Sequence, residues 1–135
     1  MTEFTITRQL QMPAEKAWEV FSPFTTLSVP SISLEVEKEG DPDANGVGAI
    51  RRLNGRVLER LESMDPPKAF TYTLLSGAPV KDYLGTAEFQ PQNSSTRLTW
   101  HVRFTPKLPG IGWLLKIVIR KVIVKMIDEL EASVN

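Results

Sequence analysis

The chain has 135 residues, long enough to bury a core of its own and short enough to be read as a single domain over residues 1–135. Sixteen basic residues balance sixteen acidic ones, without the basic excess that phosphate neutralisation demands of a nucleic-acid binder. Cysteine is absent and histidine occurs once, at His101, which removes disulfides, thiolate nucleophiles and a His-rich metal site, though not a carboxylate-only one.

The N-terminus, MTEFTITRQL, has no apolar stretch after a basic start, so a cytoplasmic location is expected. Phe4, Ile6, Leu10 and Met12 alternate with polar residues, as in a half-buried strand. Arg8 occupies a slot on the apolar side, where it either reaches the rim or anchors a polar ligand end. Pro13 opens a short helix through PAEKAWEVF that Pro23 interrupts, and a second short helical turn is expected near 25–28, ending at Pro30.

SISLEVEKEG is an alternating strand carrying Ile32, Leu34 and Val36, closed by the turn cluster GDPDANG. GVGAIRRL follows, then the hairpin signal Asn54-Gly55. RVLERLESM runs to a turn at Asp65-Pro66-Pro67, and KAFTYTLL places Phe70, Tyr72 and Leu74 on one face. SGAPVKDY reads as a loop entering YLGTAEFQP. After the turn PQNSS, Leu98, Trp100, Val102 and Phe104 share one face of TRLTWHVRF.

The last element is GIGWLLKIVIRKVIVKMIDEL, from Gly110 to Leu130. Lys116, Arg120, Lys121 and Lys125 each cost roughly 2.5–3.5 kcal/mol at a bilayer centre, so the run is no transmembrane segment. At 100° per residue, Leu115, Val118, Ile119, Val122, Ile123, Met126, Ile127 and Leu130 fall on one arc of an amphipathic helix. Trp113, Leu114, Ile117 and Val124 lie on the other side. The acids Asp128, Glu129 and Glu131 follow the bases, against the helix dipole. Cover by a neighbouring loop is the expectation; contact with a membrane surface or another subunit is the alternative.

Strands that follow one another without helices form antiparallel sheets, which predicts an α+β class: seven curved strands around one long C-terminal helix, with two short helices after the first strand. Such a sheet leaves a cavity that the helix closes like a lid.

The order of MPAEKAWEVF, GVGAIRRL, VLERLESMDPP, FTYTLLSGAPVKDY and TRLTWHVRFTP resembles the START-like, helix-grip (SRPBCC) superfamily, and within it the polyketide cyclase/dehydrase and lipid-transport group. The segment LSVPSI departs from the Trp and Pro often found there, so the cavity rim is expected to differ. The resemblance implies a hydrophobic or amphipathic small-molecule ligand and no obligatory cofactor, metal or nucleotide. It leaves open a carrier or a cyclase/dehydratase-type enzyme. A membrane-surface or interaction module is a further alternative, and a monomer or weak homodimer is expected.

Apolar cavity walls are assigned to Trp18, Phe24, Phe70, Trp100, Ile119, Val122 and Met126, and orienting polar groups to Arg51, Glu59, Tyr72 and Tyr83. Glu59, flanked by apolar residues in VLERLE, is either a general acid or base in an apolar wall or the ion-pair partner of Arg51 or Arg52 across the Asn54-Gly55 hairpin. Pairing is the expectation. Tyr83 is the other candidate for proton transfer, although buried tyrosines usually serve the core. His101 follows Trp100 and so points outward. GVG lacks the helix and third glycine of a dinucleotide loop, and Ser76-Gly77 lacks the context of a nucleophile elbow.

Overall fold

The structure is a computed structural model and describes residues 1–134. In chain order, β1 (Thr2–Leu10) is followed by α1 (Ala14–Phe21), then β2 (Leu34–Lys38), β3 (Ile50–Leu53), β4 (Val57–Asp65), β5 (Ala69–Ser76), β6 (Val80–Gln92), β7 (Ser95–Pro106) and α2 (Gly112–Ala132). The seven strands form one antiparallel sheet in the order β1-β7-β6-β5-β4-β3-β2. Each hairpin places a strand beside its predecessor, and β1 closes the sheet against β7. The alternating pattern led to this arrangement of one antiparallel sheet and a long terminal helix, and the helix-grip fold is the one that the resemblance implies.

One inner face carries the core. From β1 come Phe4, Ile6 and Leu10; from β7, Leu98, Trp100, Val102 and Phe104, all buried. Residues i, i+2 and i+4 of a strand share a face, so these positions line up as apolar rows. α1 seals one end of that face with Ala17 and Phe21. There Trp18, Phe21, Phe70 and Phe89 pack edge-on and tilted, with the Trp18 and Phe89 rings 5.7 Å apart.

The second short helix is absent. Residues 24–26 form a turn instead. Thr25 explains it: its backbone N–H and its hydroxyl both donate to Asn45 Oδ1, at 2.7 and 2.8 Å. Side-chain bonds of this kind compete with helix formation, and with Pro23 and Pro30 bracketing six residues there is no room for a stable helix.

The expected loop at 76–83 is also shorter than the pattern suggested, because β6 already begins at Val80. Its register against β7 shifts between Lys81 and Leu84, and Asp82 takes a positive φ of 53°. This bulge reverses the strand's phase. Lys81 and Asp82 are both exposed, and Tyr83, Gly85, Ala87 and Phe89 then all face inward.

α2 leans on β1 and β7 rather than spanning the whole sheet. Its C-terminal half is buried through Ile123, Met126, Ile127 and Leu130. The acids that oppose the helix dipole have tertiary partners. Arg8 Nη1 lies 2.6 Å from Asp128 and 3.1 Å from Glu131, while Glu129 accepts from the Ser31 N–H and hydroxyl. Asp128, followed by Glu131, holds the Arg8 guanidinium above its ordinary pKa, partly offset by burial. Arg8 is therefore a clamp between β1 and α2, not a cavity group. The loop cover expected for Trp113, Leu114 and Ile117 does not exist, and all three are exposed.

Candidate functional site

The N-terminal half of α2 diverges from β3, β4 and β5, and the space between them is a cleft of about 490 Å³. One wall is α2, through Leu115, Val118, Ile119, Val122, Ile123 and Met126. The facing wall is Leu53, Val57, Leu74 and Trp100, and the mouth is formed by Asn54, Arg56 and residues 77–79.

Two turns shape that mouth. In the β3–β4 hairpin, Asn54 and Gly55 both take positive φ, a conformation these residues tolerate well. In the β5–β6 turn, Gly77 has φ +102°, and a methyl group there would overlap the backbone of Arg56 and Val57. The two turns therefore touch, closing the cleft on that side.

The floor is polar. Arg51 and Glu59 are direct partners across β3 and β4. Arg51 Nε and Nη2 donate to the same carboxylate oxygen, Glu59 Oε1, at 3.0 and 2.8 Å, and Nη1 donates to the Phe24 carbonyl at 3.1 Å. The guanidinium also sits 4.0 Å above the Phe24 ring. Both side chains of the ion pair are largely buried, so the expected pairing is present. Glu59 Oε2 has no hydrogen bond among the described residues, and since no buried side-chain oxygen or nitrogen is left unsatisfied, it is accessible from the cleft.

Beside the pair, Trp100 Nε1 donates to Tyr72 Oη at 3.1 Å, and Tyr72 and Tyr83 hydroxyls are bonded to each other at 3.2 Å. Two hydroxyls share one bond, so one of the two protons has no protein acceptor among the described residues. Desolvation, followed by the charge of Glu59, pushes the Tyr72 hydroxyl well above its ordinary pKa. Desolvation, then its neighbour Tyr72, does the same to Tyr83. Both tyrosines are neutral hydrogen-bonding groups near neutral pH, not phenolate bases.

Gly85, which sequence reasoning passed over, makes this geometry possible. It pairs with Tyr72 across β5 and β6, and a methyl group there would overlap the Tyr72 ring and hydroxyl. A glycine opposite an aromatic residue in neighbouring strands was the available signal.

Of the eleven residues assigned to the cavity from sequence, Arg51, Glu59, Tyr72, Tyr83, Trp100, Ile119, Val122 and Met126 line the cleft. Trp18 and Phe70 instead fill the α1 end of the gap by packing on each other and on Phe89, and Phe24 lies beneath Arg51. His101 is on the outer face, its Nε2 3.9 Å from Glu3. Among the described residues no three carboxylate or imidazole groups converge on a possible metal position.

A family model described as polyketide cyclase/dehydrase and lipid transport matches residues 1–134. The chain belongs to this family. The structure is similar to that of a protein from Bacillus cereus (TM-score 0.80, 20% identity, covering 98% of this chain and 95% of that one). It is also similar to the Zhui aromatase/cyclase from a Streptomyces species (0.77, 19%, 97% and 92%) and to norcoclaurine synthase from Thalictrum flavum (0.77, 16%, 98% and 92%). At these identities the likeness establishes the shared helix-grip fold. No curated protein matches the sequence.

Proposed function

We propose that the protein binds an amphipathic small molecule of lipid, polyketide or aromatic type in the cleft between the sheet and α2. The observation that carries this reading is an apolar space of about 490 Å³ ending on hydrogen-bonding groups with spare capacity. Leu74, Trp100, Ile119, Val122 and Met126 take the apolar body. Glu59 Oε2 accepts from a ligand hydroxyl or N–H, and the spare tyrosine proton donates to a carbonyl or ether oxygen. At roughly 25 cal/mol per Å² of apolar area removed from water, burial alone brings a drug-sized ligand to micromolar affinity. The family description, which includes lipid transport, agrees with this class of ligand.

A second reading is catalytic: a cyclase or dehydratase in which the cleft folds a reactive chain and Glu59 and a tyrosine exchange protons with it. The shared opening of Glu59 Oε2 and the tyrosine pair onto one cleft favours it. The Arg51–Glu59 pair favours simple binding, because one carboxylate oxygen is already engaged.

Native mass spectrometry of protein purified from its own host is expected to show a retained small molecule. A thermal-shift screen is expected to find one class among fatty acids, flavonoids and polyketides that raises Tm saturably. An empty protein that no class stabilises would remove both readings. Turnover of the stabilising compound would select the second.

A further inference from the structure

Six large apolar side chains lie exposed on α2 and in the loop before it. They are Leu108, in the loop before α2, and Trp113, Leu114, Ile117, Val118 and Val122 on its first turns, with Trp113 66% exposed and Leu108 57%. The spacing 113, 114, 117 puts three of them on the outer side of the helix, and Val118 and Val122 lie at the edge of the cleft-facing arc. Val118 and Val122 belong both to this surface and to the cleft wall, so the patch runs up to the cleft.

The charge around the patch is one-sided. Lys107, Lys116, Arg120, Lys121 and Lys125 fall between Lys107 and Ile127 without a single acid, in a chain whose formal net charge is zero. All five are exposed, and none forms a salt bridge among the described residues; Arg120 donates to the Thr5 carbonyl. A two-fold dimer through this face would set bases against bases. An anionic lipid surface offers the opposite charge together with an apolar layer beneath it. A helix with exposed Trp and Leu flanked by Lys and Arg is suited to lie in that interface. Among the described residues no helix is long and apolar enough to cross a membrane, and the contact proposed below is a surface one.

We propose that the N-terminal half of α2 and the loop before it dock on an anionic lipid bilayer. Leu108, Trp113, Leu114 and Ile117 enter the headgroup layer, and the lysines meet lipid phosphates and carboxylates. Docking itself needs no bound ligand, so its test is separate from that of the binding function.

The test is co-sedimentation of the full chain with vesicles of phosphatidylcholine, alone or mixed with phosphatidylserine, together with tryptophan emission. Binding is expected only to the mixed vesicles, with a blue shift from Trp113 and release at high salt. The double variant K116E/K121E is expected to lose at least about tenfold in binding, and W113A several-fold, with unchanged circular dichroism. Three results would overturn the proposal: no binding to the mixed vesicles, equal binding by K116E/K121E, or a concentration-dependent dimer that shields Trp113 without lipid.

Discussion

The two halves of α2 have the same apolar periodicity and opposite fates. From Ile123 onward the helix lies on the sheet: Ile127 is fully buried, and Arg8 ties Asp128 and Glu131 to β1. Before Ile123 the same kind of side chain borders the cleft: Leu115 and Ile119 are only partly buried, and Val122, one residue earlier, is 48% exposed. Hydrophobic periodicity thus says which side of a helix is apolar, but not whether anything reaches it. Where β1 and β7 do, there is core. Where β3, β4 and β5 bend away, there is a cleft.

The sharpest way to disturb the cleft is through its floor. Glu59→Leu leaves the Arg51 guanidinium buried with only the Phe24 carbonyl and ring as partners. It is expected to cost about 3–5 kcal/mol in urea unfolding, because an uncompensated buried charge remains. The double variant Arg51→Met/Glu59→Leu should recover most of that loss. A small cost for the single variant would mean that Arg51 finds water or another partner once Glu59 is gone.

Next comes the contrast within α2. Ile127→Ala is expected to cost about 2–5 kcal/mol, as for other fully buried aliphatic side chains. Val122→Ala is expected to stay within about 0.5 kcal/mol while weakening ligand binding, since its methyl groups face the cleft rather than the core. Equal losses at the two positions would show that the halves do not differ.

A subtler probe is alkaline titration. The fold holds the only two tyrosines of the chain, Tyr72 and Tyr83, above their ordinary pKa of 10.0. A group whose folded pKa lies above its unfolded value binds its proton more tightly in the fold. Its contribution to stability is therefore complete below pH 10.0 and is lost as pH rises toward the folded values. Phenolate absorbance should stay flat through pH 10.0 and then rise together with unfolding. Ionisation of either tyrosine near pH 10.0 in the folded protein would place that hydroxyl in water instead.

Much of this was legible in the sequence. Strand alternation, the Asn54-Gly55 hairpin and the terminal amphipathic helix led to the fold, and the hairpin placed Arg51 or Arg52 across from Glu59, of which the register selects Arg51. Four things were not legible. The bulge at Asp82 that turns Tyr83 inward is a tertiary accommodation with no periodic signal. The mouth at 54, 56 and 77–79 comes from turns, whose sequences do not report which way they lean. The aromatic residues divided differently from expectation, because Trp18 and Phe70 satisfy each other before reaching the cleft. The Thr25–Asn45 bond that replaced the second short helix pairs residues twenty positions apart, beyond the reach of a local pattern.

The most direct test of an occupiable cleft is methyl NMR during titration with an apolar probe such as anilinonaphthalene sulfonate. Saturable shifts are expected for Leu74, Leu115, Val118, Ile119 and Val122, with Leu10, Leu98 and Ile127 unmoved. Shifts confined to Leu108, Leu114 and Ile117 on the outer surface, or no saturation at all, would contradict it.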